Sequence, residues 1–239
     1  IWSNGTDNWM IVSDPGGIAN IVEDTTPQLG GDLDVNGNSI VTASNANLSI
    51  TPNGSGDLIL DGLKWPQSDG TANYLLKTNG SAQLSWVAQE VLQVVETVTA
   101  STASSSTASP TDDTIPQVTE GVEVFTRSIT PASASNLLLI IVMVHFSASA
   151  ADNCVFHIHQ DGGTNALAAW GDYTTGDGPH TFYGNHYMSA GTTSSTTFAL
   201  RAGATGSGGS NTIRINSNSG SRLFGGASDS RILIMEIGA

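Results

Sequence analysis

The sequence predicts an all-β protein in two parts: a repetitive β-structured shaft over residues 1–87 and a jelly-roll-like β-sandwich head over residues 88–239. Three observations predict it. Gly31-Asp32-Leu33-Asp34-Val35-Asn36-Gly37 returns 25 positions later as Gly56-Asp57-Leu58-Ile59-Leu60-Asp61-Gly62. After residue 88 the runs lengthen into about eight strand-like segments separated by Gly-rich turns, the pattern of a two-sheet sandwich or jelly roll. No stretch has the length and spacing of an amphipathic helix.

Residues 1–14 read as two short strands around Asn4-Gly5-Thr6-Asp7, flanked by Trp2 and Trp9, a pair that packs across the turn more often than it grips a sugar. Pro15-Gly16-Gly17 then breaks the pattern. Each repeat copy places apolar residues at alternate positions and closes on Asn-Gly or Asp-Gly, a turn that needs φ > 0. Between the copies, Leu48-Ser49-Ile50-Thr51 alternates and stops at Pro52-Asn53-Gly54. A further hairpin follows: Tyr74-Leu75-Leu76-Lys77, the turn Thr78-Asn79-Gly80-Ser81, then Leu84-Ser85-Trp86-Val87. Strands this short, each with one narrow apolar edge, cannot bury that edge within one chain. Their repetition points to a structure that grows along an axis, with neighbouring units covering each other.

At residue 88 the vocabulary changes, and the domain boundary falls there. Residues 91–98 form a strand rich in β-branched side chains, with a helix over 89–94 as the alternative. The Ser/Thr-rich tract 100–113 reads as a long exposed loop. Strands follow at 121–130, 136–147, 153–159, 181–189, 196–202, 212–216 and 230–237. The last of these ends so close to the terminus that it is expected to be central to its sheet, and its removal disastrous.

The phrase Glu23-Asp24-Thr25-Thr26-Pro27-Gln28-Leu29-Gly30-Gly31-Asp32-Leu33-Asp34-Val35-Asn36-Gly37-Asn38 resembles the shaft repeats of bacteriophage tail fibre proteins, especially those of marine phages. Asn53-Gly54-Ser55-Gly56-Asp57-Leu58 and Pro66-Gln67-Ser68-Asp69-Gly70-Thr71-Ala72 resemble the same family. Ser128-Ile129-Thr130-Pro131 and Ile234-Met235-Glu236-Ile237 resemble the C-terminal heads of such fibres, which look like the trimeric jelly rolls of the complement C1q and tumour-necrosis-factor class. The resemblance implies an intertwined trimeric shaft, a homotrimeric head and a place in the virion as a tail fibre. It also implies a receptor-binding protein that attaches the particle to a host polysaccharide or outer-membrane protein. The chain begins at Ile1 without a methionine or signal sequence, so an N-terminal part that joins other tail proteins is expected to be missing.

Charge narrows the partners. Residues 1–120 carry 14 acidic and 2 basic side chains, and residues 121–239 carry 7 and 5, within a formal net charge of −14. A nucleic-acid backbone or an anionic membrane surface would be repelled. The longest apolar run, residues 137–144, is far short of the roughly 20 residues that cross a bilayer. It is a core strand. The single cysteine, Cys154, excludes a disulfide framework within the chain and reads as a buried small hydrophobe.

Two constellations are candidates for chemistry. His157 and His159 share one face of a strand while Phe156 and Ile158 share the other. With the apolar pair in the core, the imidazoles face outward or towards a trimer axis, where three chains would assemble an octahedral site for a divalent metal such as iron or nickel. Some phage fibres use His-x-His in that way. The plain alternative is two polar strand residues bonding to neighbours. Separately, Trp170, Tyr173, His180, Tyr183, His186 and Tyr187 cluster among Gly and Asp. Aromatic rings over a sugar's C–H face and carboxylates accepting its hydroxyl protons suit a carbohydrate, which makes Trp170, Asp172, Tyr173, Asp177 and His180 the candidate receptor-binding residues. The alternative is that Phe182, Tyr183 and Tyr187 are core or trimer contacts.

No Gly-x-Ser-x-Gly elbow, His-Glu-x-x-His or phosphate loop is present, so the chain is not expected to be an enzyme. A polysaccharide depolymerase would need two carboxylates across a groove, and nothing in the sequence proposes such a pair. The other alternative to receptor binding is a purely structural virion protein.

Overall fold

The computed structural model describes residues 31–42, 44–72, 74–206 and 211–239. The strands expected over residues 1–14 lie outside the described residues. The chain divides into two compact units, residues 1–56 and 57–239.

In the first unit Asn36 and Gly37 take φ of 46° and 77°. This is the left-handed pair that an Asn-Gly turn requires. The Asp34 carboxylate accepts the Asn36 N–H at 2.8 Å and fixes the turn locally. No strand forms among the described residues of this unit, and Leu33, Ile40, Val41, Leu48 and Ile50 are exposed.

The second unit opens with two hairpins. Strands β1 (Ile59–Leu60) and β2 (Leu63–Lys64) flank Asp61 and Gly62, whose φ values of 49° and 77° repeat the turn of the first copy. Strands β3 (Leu75–Thr78) and β4 (Leu84–Val87) form the second expected hairpin. Its connection is longer than an Asn-Gly tip: the Asn79 N–H donates to the Gln83 carbonyl at 3.0 Å, enclosing Gly80 to Ala82.

The rest is an antiparallel sandwich with a jelly-roll arrangement. Its strands are β5 (Val91–Thr99), β6 (Ala103–Ser105), β7 (Val122–Ile129), β8 (Leu137–Ala148), β9 (Asp152–Gln160) and β10 (Ala168–Thr174). They continue as β11 (His180–Ser189), β12 (Thr196–Ala204), β13 (Ile213–Ile215), β14 (Ser217–Asn218), β15 (Ser221–Arg222) and β16 (Ser230–Ile237). One sheet runs β5-β16-β8-β13-β6, with β11 also paired to β8; the other runs β10-β9-β12-β7. The final strand is central, as its position at the terminus suggested.

Alternation explains the core. Leu138, Ile140, Val142, Val144 and Phe146 of β8 meet Phe156, Ile158, Phe198 and Leu200 from the facing sheet, all fully buried. At this period a strand has one inward face, yet β8 is apolar on both. Leu139, Ile141 and Met143 point away from the core beside Leu233 and Met235 of β16 and Tyr183 and Tyr187 of β11. Fully buried Glu236 needs no cation, because Gln93 Nε2, Asn136 Nδ2 and the Ala132 and Ser133 N–H groups all donate to it. Burial pushes its pKa up, but those four donors outweigh burial and lower it.

In the sandwich, two further expectations from the sequence differ from the structure. The tract 100–113 is not all exposed loop: it contains β6, and Ser109 is fully buried. Residues 168–174, rich in Ala, Gly and Asp, form an edge strand because β9 supplies a ladder partner along their whole length.

The strand directions give the sandwich two distinct ends. The chain enters at Val91, where the Gly238 N–H donates to the Glu90 carbonyl. The opposite end gathers Thr99, Ser230 and the connections 149–151, 175–179, 219–220 and 223–229.

Candidate functional site

Three places hold the side chains that could do chemistry. The first lies under the β6–β7 connection, which crosses the outer face of the β10-β9-β12-β7 sheet as a strap. Gly121 donates its N–H to the Ala108 carbonyl, Val118 to Thr164, and Ser109 to Ala204. Arg201 of β12 reaches out of the sheet and donates Nε to the Glu120 carbonyl and Nη2 to the Gly121 carbonyl, at 2.9 and 3.0 Å. Beneath the strap sit His157 and His159.

The expectation that these two histidines face outward or towards an axis is corrected. They share a face, but the strap covers it, and both are fully buried. Their four ring nitrogens form one chain. His159 Nδ1 lies 2.9 Å from the Gly163 carbonyl, which only accepts, so that nitrogen carries the proton. His159 Nε2 therefore accepts from His157 Nδ1–H at 2.8 Å, and His157 Nε2 accepts the Ser109 hydroxyl at 3.2 Å. This arrangement leaves no ring nitrogen for a metal. Among the described residues no group of three or more His, Cys, Asp or Glu side chains is placed to hold one. Burial, then the His159 ring and the Arg201 guanidinium, lowers the His157 pKa to about 4.

Hydroxyl, imidazole and imidazole in series have the connectivity of a nucleophilic triad. Ser109, however, is wedged between Gly121 and Gly203. A Cβ on Gly203 would lie 2.6 Å from Ser109 Oγ and 2.8 Å from the Thr107 carbonyl oxygen. No substrate reaches that hydroxyl; its work is to pin the strap. Gly203→Ala should therefore unseat the strap, lowering stability by about 1–3 kcal/mol. Limited proteolysis should then cut the variant within residues 106–121 while the parent resists.

The second place is the aromatic cluster. Trp170 points inward from β10 and tilts against Phe182 at 5.8 Å, with Phe182 stacked on Phe156 at 4.2 Å and Phe156 edge-on to Phe146 at 5.0 Å. Gly184 leaves the room that the Phe182 and Trp170 rings occupy. His180 packs on Phe146 at 5.5 Å. Trp170 and His180 are thus half-buried aromatics at the open edge between the sheets, one face of each packed on a core phenylalanine. Asp172 also sits on the inward face of β10, opposite Cys154. Burial, with Asp152 and Asp172 nearby, drives the buried Cys154 thiol up to about 12. Tyr173 faces the other way and is exposed. The five predicted residues do not converge on one surface.

Asp177 leads to the third place. At the end opposite the chain's entry, its carboxylate pairs with Arg214 Nη1 of β13. Arg214 lines a cleft of about 170 Å³ with Thr102, Ala103, Ser104, Ser217 and Gly220. Ser217 pairs with Arg222 across the β14–β15 hairpin. Two residues further on, Phe224 is 75% exposed. Sequence reasoning missed Arg214, Arg222 and Phe224. The available signal was a phenylalanine set among turn residues, Arg222-Leu223-Phe224-Gly225-Gly226.

Comparison with solved structures finds only distant likeness. A tumour-necrosis-factor protein, Eiger of S. frugiperda, is 12% identical over 63% of this chain and 94% of its own, with a TM-score of 0.36. A protein described as the EclA C-terminal domain, a sugar-binding protein, is 18% identical over 64% of this chain and 97% of its own, with a TM-score of 0.28. No protein-family model and no curated protein sequence matches the chain.

Proposed function

We propose that this chain is the distal part of a homotrimeric bacteriophage tail fibre, a virion protein whose head attaches the particle to a host surface. The observation that carries the reading is the outer face of the β5-β16-β8 sheet with β11. Val94, Leu139, Ile141, Met143, Leu233, Met235, Tyr183 and Tyr187 line it, with Tyr183 68% exposed. Asn185, Glu96 and Arg231 interrupt the face, but a soluble monomer rarely leaves so many large apolar side chains together in water. Identical copies are the occupants that also answer the shaft, where Ile59, Leu63, Leu75 and Leu76 stand exposed and need the same repeated partner. A closed three-fold assembly covers both at once.

In such a fibre the chain enters each head at Val91, and the far-end loops point away from the shaft. Three copies, multiplied over several fibres, give avidity from individually weak contacts with a surface glycan or outer-membrane protein. The reading assigns no catalysis. Labelled full-length chain should bind saturably to cells of at least one strain in a panel of marine bacteria, and soluble chain should compete with it. Assembly into particles without any saturable cell binding would make the protein a structural virion component instead.

A further inference from the structure

The loop from Asn216 to Asp229 carries a feature that packing does not explain. Phe224 takes φ 46° and ψ 35°, followed by Gly225 at φ 66° and Gly226 at φ 96°. Left-handed backbone is costly for an aromatic residue, and such strain persists where the surroundings impose it. Here it holds the ring out in water. The Arg222 guanidinium lies over Gly226, 2.9 Å from where a Cβ would stand. Ring and guanidinium thus belong to one turn, which follows directly on the β14–β15 hairpin whose Ser217 and Gly220 line the Arg214 cleft.

Charge at this spot runs against the rest of the molecule. The whole chain holds seven Lys and Arg against 21 Asp and Glu. Among the described residues Arg222 has no carboxylate partner, and Asp177 engages only Nη1 of the Arg214 fork. The cleft is otherwise lined by hydroxyls and backbone. At about 170 Å³ it is smaller than the roughly 300 Å³ at which sites for drug-sized ligands begin, so it takes one ring-sized polar group.

We infer that this far-end cleft is a subsite for an anionic sugar, with Arg214 and Arg222 taking its carboxylate or phosphate and the Phe224 ring covering its C–H face. Guanidinium donors match both anions as planar forks, while the hydroxyls of Thr102, Ser104 and Ser217 suit ring hydroxyls. The inference rests on the attachment reading for its biological meaning and on the cleft alone for its chemistry.

The test uses the full chain and three probes, D-glucuronic acid, D-glucose 6-phosphate and neutral D-glucose, followed by saturation-transfer NMR titration. At least one anionic sugar should bind with a dissociation constant on the order of 1 mM, glucose at least about tenfold more weakly, and the preferred anion tells carboxylate from phosphate. Arg222→Gln and Phe224→Gly should each weaken binding about tenfold or more. Phe224→Gly should keep or raise the melting temperature, because glycine accepts the positive φ. Equal binding of glucose, no binding of either anion, or variants that bind like the parent would overturn the inference. Cell binding separates the two readings. If both variants still bind cells like the parent, the subsite fails and attachment stands. If the anion binds but no cells do, attachment fails and the subsite stands.

Discussion

Ile141→Asp should convert the proposed three-chain particle into single chains, as read by light scattering on the full-length protein. Ile141 lies mid-face on β8, paired with Asn185 of β11 on one side and Leu233 of β16 on the other. In a single chain its side chain is 38% exposed, so a carboxylate there stays solvated and the sandwich folds. In the proposed trimer the same position would be closed off on every copy. Three unpaired carboxylates would then be desolvated close to one another, at several kcal/mol apiece. Loss on that scale exceeds what short shaft strands with narrow apolar edges can offset. Tyr173→Asp is the matching control, because Tyr173 is exposed on the opposite sheet. It should leave the mass at three chains. A parent that runs as one chain, or an Ile141→Asp variant that stays at three, would sink the trimer.

Strands with a regular alternation were legible because the period alone sorts their side chains. Ser230–Ile237 was read with its true limits, and its centrality followed from its place at the terminus. The Asn36-Gly37 and Asp61-Gly62 turns were legible for a local reason, since few other pairs accept two positive φ values in succession, whereas at Asn79-Gly80 only the glycine has positive φ. What failed depended on distant partners. Ala168–Thr174 lacks β-branched apolar residues and becomes a strand only because β9 offers it a ladder. His157 and His159 were rightly placed on one face, but which face is solvent depends on a strap more than thirty residues upstream. The same remoteness hid the far-end cleft. Arg214 sits in a three-residue strand between Ser104 and Ser147, neighbours that no local pattern announces.

The buried histidine pair should make the fold acid-sensitive in a definite window. Unfolded, His157 takes its proton near the ordinary 6.5; folded, only near 4. Between those values the unfolded chain binds more protons, so stability falls as pH falls and is fully present only above about 6.5. Below about 4 this group costs nothing further. The shift is worth about 3 kcal/mol at most. The hydrogen-bond chain gives the shift a structural cause. His157 Nε2 is the acceptor for the Ser109 hydroxyl in the neutral chain, so a proton added there takes that acceptor away. Arg201 of β12, held by the Glu120 and Gly121 carbonyls of the strap, repels a His157 imidazolium. Asp152 and Glu236 also have lowered pKa values, but their ordinary values of 3.8 and 4.5 place their losses at lower pH. Urea midpoints at fixed protein concentration should therefore decline between about pH 7 and pH 5, where the carboxylates stay ionised. His157→Gln should flatten that decline even if its midpoint is lower throughout, because the titrating group is gone. A parent midpoint that stays level across this window would mean that the pair takes up its proton while still folded, and that the strap does not depend on its neutrality.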